Sequence, residues 1–208
     1  MSSVNATESR SERRRREVID AARRVVVRNG LQVATLRDIA REAGFTTGVV
    51  SHWFVDKREV VVAAFEAASN DWLSEVKRTL TAASTTEESV RAFARLATPD
   101  DPGRRQEWRL WSEMWVYAAR DSEFAATLMA TDALWETLIQ GMLGTWQRAG
   151  LIRSDVDPVP AGTVLARLID GLGTRASLSG DWDGARAQLV YQLAALGVPR
   201  ALLEEEPA

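Results

Sequence analysis

Residues 35–57 of the 208-residue chain read TLRDIAREAGFTTGVVSHWFVDK, and this stretch decides the fold. Thr35, followed three residues later by Asp38, has the spacing of a capping box, which predicts that a short helix begins here. Gly44 is expected to end that helix, and a second short helix is predicted over 46–53. Two short helices joined by a tight turn, with a helix before and after them, form a helix-turn-helix pattern.

The second of these helices presents small and hydroxyl-bearing side chains, which can enter the major groove of DNA without steric conflict. They are Thr46, Thr47, Gly48 and Ser51. Hydrogen-bond donors around them are expected to reach phosphates, contacts that position a protein on DNA without reading the base sequence. These donors are Thr35, His52, Trp53 and Lys57.

The charge distribution favours a polyanionic partner for the first quarter of the chain. Residues 1–58 contain 12 Lys and Arg against 7 Asp and Glu, whereas the rest contains 14 against 22. A basic segment on an acidic body is typical of a surface that meets nucleic acid. A solvated helix start at Arg13–Arg16 is the alternative interpretation of the same charges.

Helical periodicity continues along the rest of the chain, and no stretch alternates for long in the manner of a strand. The patterns predict about nine helices, so the expected fold class is all-α. A composition boundary falls near residue 57, with no flexible linker. The acidic tail after about Leu196 is expected to fray.

Composition excludes several catalytic classes. The chain has no cysteine and a single histidine, His52, so thiol nucleophiles and Cys-His pairs are impossible. A Ser-His-Asp triad would need that histidine, which lies in the basic segment, and no cluster has the spacing of a zinc site. We therefore expect no enzyme activity, no metal and no cofactor. The alternative is an all-α small-molecule-binding protein or enzyme without a DNA-binding role.

The sequence also predicts a cytoplasmic protein with no membrane partner. Its longest apolar runs fall far short of the roughly 20 residues of a membrane span. The charged N-terminus is not followed by the apolar stretch of a signal peptide. The absence of cysteine suits a reducing compartment.

Residues 35–57 resemble the signature of the TetR family of transcriptional regulators, which reads roughly T-x-x-x-I-A-x-x-A-G-x-S-x-G-x-x-Y-x-x-F-x-x-K. Thr46 stands where serine is usual, and the other matching residues are Thr35, Ile39, Ala40, Ala43, Gly44, Gly48, Phe54 and Lys57. The resemblance implies a DNA-binding domain over 1–57 with a basic N-terminal arm, and an effector-binding and dimerisation domain over 58–208. It also implies a homodimeric repressor that binds a pseudo-palindromic operator and leaves it when a small-molecule effector enters.

One departure from the signature points to a subgroup. Ser51 replaces the usual tyrosine, and the resulting Ser-His-Trp-Phe is similar to the Ser-His-Tyr-Phe of choline-sensing repressors of the BetI type. The segments RLWSEMWVYAARDSEF and LIDGLGTRASLSGDW are also similar to the C-terminal domain of that subgroup. Loss of the tyrosine removes one usual phosphate contact, while Trp53 keeps an indole N–H donor.

The second part of the chain is expected to bind the effector. Its candidate pocket residues are aromatic rings and carboxylates: Trp72, Trp108, Trp111, Trp115, Trp135, Asp132, Glu136 and Asp170. Because tryptophan faces attract organic cations, a choline-like or polyamine-like effector is the hypothesis. Ordinary core packing is the alternative for each ring, and Arg167 and Arg175 leave a hydrophobic or anionic ligand open.

The last two long helices carry apolar stripes, and the resemblance to the family implies that these helices pair with a second copy of the chain. The stripe residues are Leu165, Leu168, Ile169, Leu172, Trp182, Leu189 and Leu193. Gly171 and Gly173 would permit close approach of another helix. Core packing within one chain is the rival interpretation of both stripes.

Overall fold

The computed structural model describes residues 9–204, and all regular elements in that range are helices. The predicted all-α class is therefore confirmed. Residues 1–8 of the expected N-terminal arm and residues 205–208 of the acidic tail lie outside the described part. The ten helices of the described range are α1 Arg10–Asn29, α2 Leu36–Ala43, α3 Thr47–Val50, α4 Lys57–Ala82, α5 Thr86–Ala97, α6 Pro102–Ala118, α7 Ser122–Arg148, α8 Pro158–Ser179, α9 Trp182–Leu196 and α10 Ala201–Glu204.

The chain divides into two compact units, Met1–Asn70 and Asp71–Ala208. The division falls inside α4, between Asn70 and Asp71, whereas the composition changes near residue 57. A continuous helix carries no compositional mark where one packing partner is exchanged for another, so the sequence offers no signal at this point.

The first unit is built on one small apolar core. Val18 and Ala22 of α1, Ile39 of α2, Val50 of α3 and Phe54 are each at most 2% exposed and pack in one cluster. Their removal from water stabilises the three-helix arrangement, because each large apolar side chain contributes about 1.5–3 kcal/mol when fully buried.

The turn between α2 and α3 depends on a glycine. Gly44 has φ of +74°, in the left-handed region that side chains with a Cβ rarely adopt. Its N–H donates to the carbonyl of Arg41, and the N–H of Phe45 donates to that of Ala40. These bonds satisfy the last carbonyls of α2 and turn the chain sharply.

Helix α3 is shorter than the sequence predicts. It spans Thr47–Val50 rather than 46–53, with Thr46 as its N-cap. The N–H groups of His52 and Trp53 bond to carbonyls three residues earlier, so the helix tightens into a turn of 3₁₀ type.

The second unit contains α5–α10 and a larger core. Trp146 and Phe93 lie at its centre, with ring centroids 5.7 Å apart, and the indole N–H of Trp146 donates to Ser89 Oγ. The expected fraying of the tail is wrong as far as residue 204, because α10 places Leu203, 2% exposed, in this core.

The residues of the predicted dimer stripes pack within a single chain. Leu168 is partly buried and packs against the core, and the others are at most 7% exposed: Leu165, Ile169, Leu172, Trp182, Leu189 and Leu193. Core packing, the rival interpretation, accounts for these buried side chains. Pairing of the two helices with a second copy stays a prediction.

Gly171 and Gly173 of α8 differ in how closely another helix packs on them. A Cβ added at Gly173 would lie 2.4 Å from the ring of Trp108, so this glycine serves the close packing of α6 on α8 within one chain. Gly171 has nothing within 4 Å and faces open space.

No helix among residues 9–204 is long and apolar enough to cross a membrane.

Candidate nucleic-acid interface and ligand site

The predicted groove-facing residues lie together on the outer side of the helix-turn-helix. Thr46, Thr47, Gly48 and Ser51 are all exposed, while Val50 faces the core with no exposure. Alternation between these positions follows from the helical period, which separates an inward apolar side chain from an outward polar set. The described structure therefore leaves this small-residue surface open to a partner.

Gly48 has no structural reason to be glycine. It lies inside α3 and is not among the glycines with positive φ, and a Cβ added there would meet only Thr46 Oγ1 at 3.9 Å. Glycine in a helix normally weakens it relative to alanine. The free protein would tolerate a Cβ at Gly48. Its absence is what the close approach of a partner surface would require.

Thr35 and Thr46 both act as helix caps. The Thr35 hydroxyl accepts from the N–H of Asp38 and donates to Asp38 Oδ2 at 2.6 Å. This hydrogen bond from Thr35 lowers the pKa of the Asp38 carboxyl. Thr46 Oγ1 accepts from the N–H of Val49 at 3.4 Å. The proton that Thr35 was expected to offer to a phosphate is thus already used within the unit.

Trp53 links the groove-facing segment to α1. Its indole N–H donates to Ser11 Oγ at 3.3 Å, and its ring lies edge-on to His52 at 5.6 Å between centroids. The ring of Phe45 is tilted against that of Trp53, with 6.5 Å between the centroids. The sequence predicted that Trp53 donates to a phosphate. It gave no sign of the hydrogen bond that joins Trp53 to α1, because Ser11 is 42 residues away. His52 itself is exposed.

Lys57 has a comparable role that the sequence did not indicate. Its Nζ donates to the carbonyl oxygen of Leu31 at 2.9 Å and lies 3.5 Å from that of Gln32. The ammonium therefore satisfies carbonyls after α1 and ties the start of α4 to them. Its remaining donor capacity is what a phosphate contact would use.

Replacing Lys57 with alanine should lower both stability and DNA affinity. Loss of the charged hydrogen bond to Leu31 is expected to reduce the free energy of unfolding by about 1.5–3 kcal/mol, measured by chemical denaturation. Specific and nonspecific DNA should be weakened alike, with the salt dependence reduced by about one charge. Lys77→Ala, at an exposed site on the same helix, is the matched control. Unchanged stability in the Lys57 variant would contradict the tie to the carbonyls.

Arginines of α1 form the basic margin of this unit. Arg14 lies over the ring of Phe45 at 6.0 Å, and Arg15 over that of Phe54 at 5.0 Å. These contacts hold positive charge beside the turn and the end of the helix-turn-helix. The basic segment inferred from composition is thereby packed against the groove-facing elements.

In the second unit, α6, α7 and α8 border an open cleft of 610 Å³. Three of the predicted ligand residues line it together: Trp115 from α6, Asp132 from α7 and Asp170 from α8. Its remaining lining residues are Met129, Arg167, Gly171, Thr174, Arg175 and Leu178. The cleft thus combines an indole, apolar side chains and carboxylates, the composition of a site for a small organic ligand.

A cluster of three carboxylates and one guanidinium forms the polar end of the cleft. Arg167 Nη1 lies 3.3 Å from Asp132 Oδ2 and 3.6 Å from Asp170 Oδ2, and Nη2 bonds to Glu136 Oε1. Glu136 also accepts from Thr163 Oγ1 at 3.3 Å. The carboxylates are 18–21% exposed, whereas Arg167 is 48% exposed.

Burial raises the pKa of two carboxyls of this cluster. Desolvation, reinforced by the charge of Asp132, raises the pKa of Asp170 to about 7, although Arg167 acts in the opposite direction. Desolvation also raises the pKa of Asp132. The three carboxylates share the guanidinium of Arg167, and a positive charge close to Asp170 would favour its ionised form.

Thr174 adds an unsatisfied polar atom to the same cleft. Its Oγ1 is buried and has no hydrogen-bond partner within residues 9–204. A buried hydroxyl without a partner costs about 1–3 kcal/mol, so a ligand with a hydroxyl group or an acceptor would relieve this cost. No signal in the sequence singled out this residue.

Of the other predicted ligand tryptophans, two belong to the core and two are partly buried against it, as Trp115 also is. Trp108 and Trp135 are 8% and 6% exposed and belong to the core, where Trp135 lies 5.7 Å from Trp72 between ring centroids. Trp72 and Trp111 are partly buried against the same core. Core packing, the rival interpretation of the tryptophans, thus holds for Trp108 and Trp135.

A second cavity of 830 Å³, between α5, α9 and α10, has a less selective lining. Arg95, Arg186 and Arg200 face it together with Asp100, Asp183 and Glu204. We assign the ligand site to the smaller cleft, because the indole of Trp115 lies there beside the carboxylates of Asp132 and Asp170.

No group of three His, Asp or Glu side chains that could hold a metal ion occurs within residues 9–204. His52 lies on the exposed side of the first unit, against Trp53. Its role as a phosphate donor stays a prediction.

Comparison with known families gives two matches. Residues 86–197, more than half of the chain, match the C-terminal domain of BetI-type transcriptional repressors. Residues 18–64 match the bacterial regulatory proteins of the tetR family. Among curated relatives, the transcriptional regulator BetI of Burkholderia ambifaria (strain MC40-6) is 28% identical over 177 residues, 85% of this chain and 88% of that protein. BetI of Escherichia coli (strain K12 / DH10B) is 28% identical over 169 residues, 80% of this chain and 84% of that protein.

Solved structures with the same fold include two regulators. A TetR transcription regulator from Haloarcula marismortui has a TM-score of 0.78 at 18% identity, covering 88% of this chain and 98% of that chain. A transcriptional regulator from Saccharomonospora viridis, solved in complex with choline, has a TM-score of 0.75 at 24% identity, covering 84% and 92%. At these identities the likeness shows the fold.

Proposed function

The chain belongs to the TetR family of transcriptional regulators, with a C-terminal region of the BetI type, and we propose that it is a homodimeric repressor released from its operator by an organic cation. Members of this family bind DNA and small-molecule effectors and usually act as dimers, and the chain is a regulator rather than an enzyme. The first unit would bind DNA, and the second would bind the effector and the partner chain.

The observation that carries the DNA-binding proposal is the open surface of α3. Thr47 and Ser51 are exposed on either side of Gly48, which has no steric or conformational need for glycine in the free protein. A bare helix surface lets backbone and hydroxyl groups approach base edges, which carry the sequence information of the major groove. The arginines of α1 would neutralise phosphates alongside.

Dimerisation is proposed through the outward faces of α8 and α9. The stripes predicted from the sequence are buried in one chain, but the opposite faces retain Val164, 58% exposed, and Tyr191, 67% exposed. Two copies paired there would present two α3 helices to half-sites about one DNA turn, or a multiple of it, apart.

The cleft between α6, α7 and α8 supports the choice of a cationic effector. It joins the indole of Trp115 to the carboxylates of Asp132 and Asp170, and tryptophan is the best aromatic partner for an organic cation. The acidic excess around Arg167 disfavours the anionic alternative. The choline complex of the Saccharomonospora viridis regulator gives the proposal an independent parallel.

A binding scan of the DNA beside its own gene tests the proposal. Overlapping labelled duplexes from that region should yield one tile bound at least about a thousandfold more tightly than the others, since specific sites exceed nonspecific DNA by that margin or more. Stoichiometric titration should give two chains for one site, or a multiple of two. Equal binding of all tiles, or no binding, would overturn the assignment of the first unit.

A further inference from the structure

Arg167 occupies the position in the cleft that a cationic ligand would take. Its guanidinium contacts all three carboxylates of the cluster: Asp132 and Glu136 on α7, and Asp170 on α8. Half of the Arg167 side chain is exposed, while each carboxylate is about four-fifths covered. The anionic side of the cluster is therefore fixed in the protein, and its cationic partner reaches in from the surface on a flexible stem.

We propose that Arg167 is a tethered occupant of the cation site, and that the effector binds by displacing its guanidinium into solvent. This inference rests on the proposed cationic effector. Exchange of one cation for another keeps a positive charge beside the buried carboxylates throughout. An empty cluster would instead hold uncompensated buried charges, which are strongly unfavourable. Arg167 thereby sets how tightly any free cation can bind.

Displacement would also break a bridge between two helices. Arg167 belongs to α8, and its bonds to Asp132 and Glu136 reach α7. A small organic cation with no N–H donors cannot reproduce these directional bonds, although it keeps the charge. Thr163 would remain bonded to Glu136 at 3.3 Å and to Gln140 at 3.2 Å. Ligand exchange would thus leave one side-chain link between α7 and α8 and remove another.

The charged groups around Asp170 define the conditions for a test. Asp132 and Glu136 face it from α7, Arg167 lies on its own helix, and Arg175 lines the same cleft. From α6 the cleft is lined by Trp115, which does not titrate. Removal of Arg167 would allow a proton to replace the lost positive charge at low pH, so binding is best compared at pH 8.5.

The test uses Arg167→Gln, which keeps chain length and polarity but removes the charge, with choline chloride as probe at constant ionic strength. Isothermal titration should show choline binding about tenfold tighter than to the wild type, equivalent to about 1.4 kcal/mol. Arg167→Lys retains a competing charge and should stay near the wild type. Arg175→Gln removes a charge from the same cleft, and reports the general electrostatic effect of that loss.

The outcomes separate the two proposals. If the wild type binds choline and Arg167→Gln binds no more tightly than Arg175→Gln, Arg167 is not a competitor and the inference is overturned, while the cationic effector stands. Weaker binding by Arg167→Gln also overturns it, because Arg167 would then help to hold the ligand. If neither the wild type nor any variant, each shown to be folded by thermal unfolding, binds choline or spermidine, the cationic effector itself is refuted.

Discussion

Replacing Asp170 with asparagine is expected to lower the affinity for choline by about a hundredfold. Removal of one partner from a buried charge pair costs about 3–5 kcal/mol, and a hundredfold change corresponds to about 2.7 kcal/mol. The Asp170 side chain is 20% exposed and lines the cleft beside Trp115. Titration calorimetry gives the affinity directly, and quenching of tryptophan fluorescence gives a second readout.

The same carboxyl should make ligand binding depend on pH. Burial raises the pKa of Asp170 to about 7, and a bound cation favours the ionised form. Choline affinity of the wild type should therefore rise with pH up to about 7 and level off above it. In Asp170→Asn this dependence should be flattened.

The stability of the wild type should depend on pH with the opposite sign to its choline affinity. A carboxyl with a pKa raised in the folded protein binds a proton more readily there than in the unfolded chain. Its destabilising effect is absent below about pH 4 and grows until the pH passes the folded pKa of about 7. Asp170→Asn should therefore unfold at higher denaturant concentration than the wild type at pH 8, with no difference near pH 4.

Asp183→Asn is the matched control, because this carboxylate is exposed on α9 and away from the cleft. It should leave both choline affinity and its pH dependence unchanged. If Asp170→Asn binds choline as tightly as this control, the carboxylate cluster does not hold the effector.

Replacing Gly48 with glutamine is expected to abolish specific recognition while leaving the fold intact. The open space around Gly48 accommodates a side chain, and glutamine is a better helix former than glycine by about 0.5–1 kcal/mol. The added side chain would block the approach of α3 to the bases. Operator affinity should fall at least about a hundredfold, since lost base contacts cost about 1–3 kcal/mol each.

Nonspecific DNA provides an internal comparison for this variant. Glutamine carries no charge, so phosphate attraction and its salt dependence should change by less than about threefold. Gly141→Gln is the control: Gly141 is exposed inside α7, and a Cβ added there would meet nothing within 4 Å. Both variants should be at least as stable as the wild type. An undiminished operator affinity in Gly48→Gln would place α3 outside the groove.

Local sequence signals predicted the first unit well. The capping box of Thr35 and Asp38 and the turn at Gly44 are consequences of neighbours within a few residues. What the sequence could not supply were contacts between distant positions. The bonds from Trp53 to Ser11 and from Lys57 to Leu31 join residues 42 and 26 apart, so both side chains were interpreted as free donors.

The second unit was predicted less completely for a related reason. Helical periodicity shows which face of α8 is apolar, but it cannot distinguish a partner in the same chain from a partner in a second chain. Leu165 and Leu189 therefore looked like an interface and are core. In the cleft, the sequence identified Asp132 and Asp170 but not their common partner, because Arg167 was considered as part of an anion site.

The central claim is that an organic cation releases this regulator from its operator. The direct measurement is fluorescence anisotropy of the complex with its strongest-binding DNA tile, titrated with choline chloride against sodium chloride at matched ionic strength. We expect choline to dissociate the complex, whereas its uncharged isostere 3,3-dimethylbutan-1-ol should not. A complex that survives saturating choline, or that the neutral isostere dissociates equally well, would contradict it.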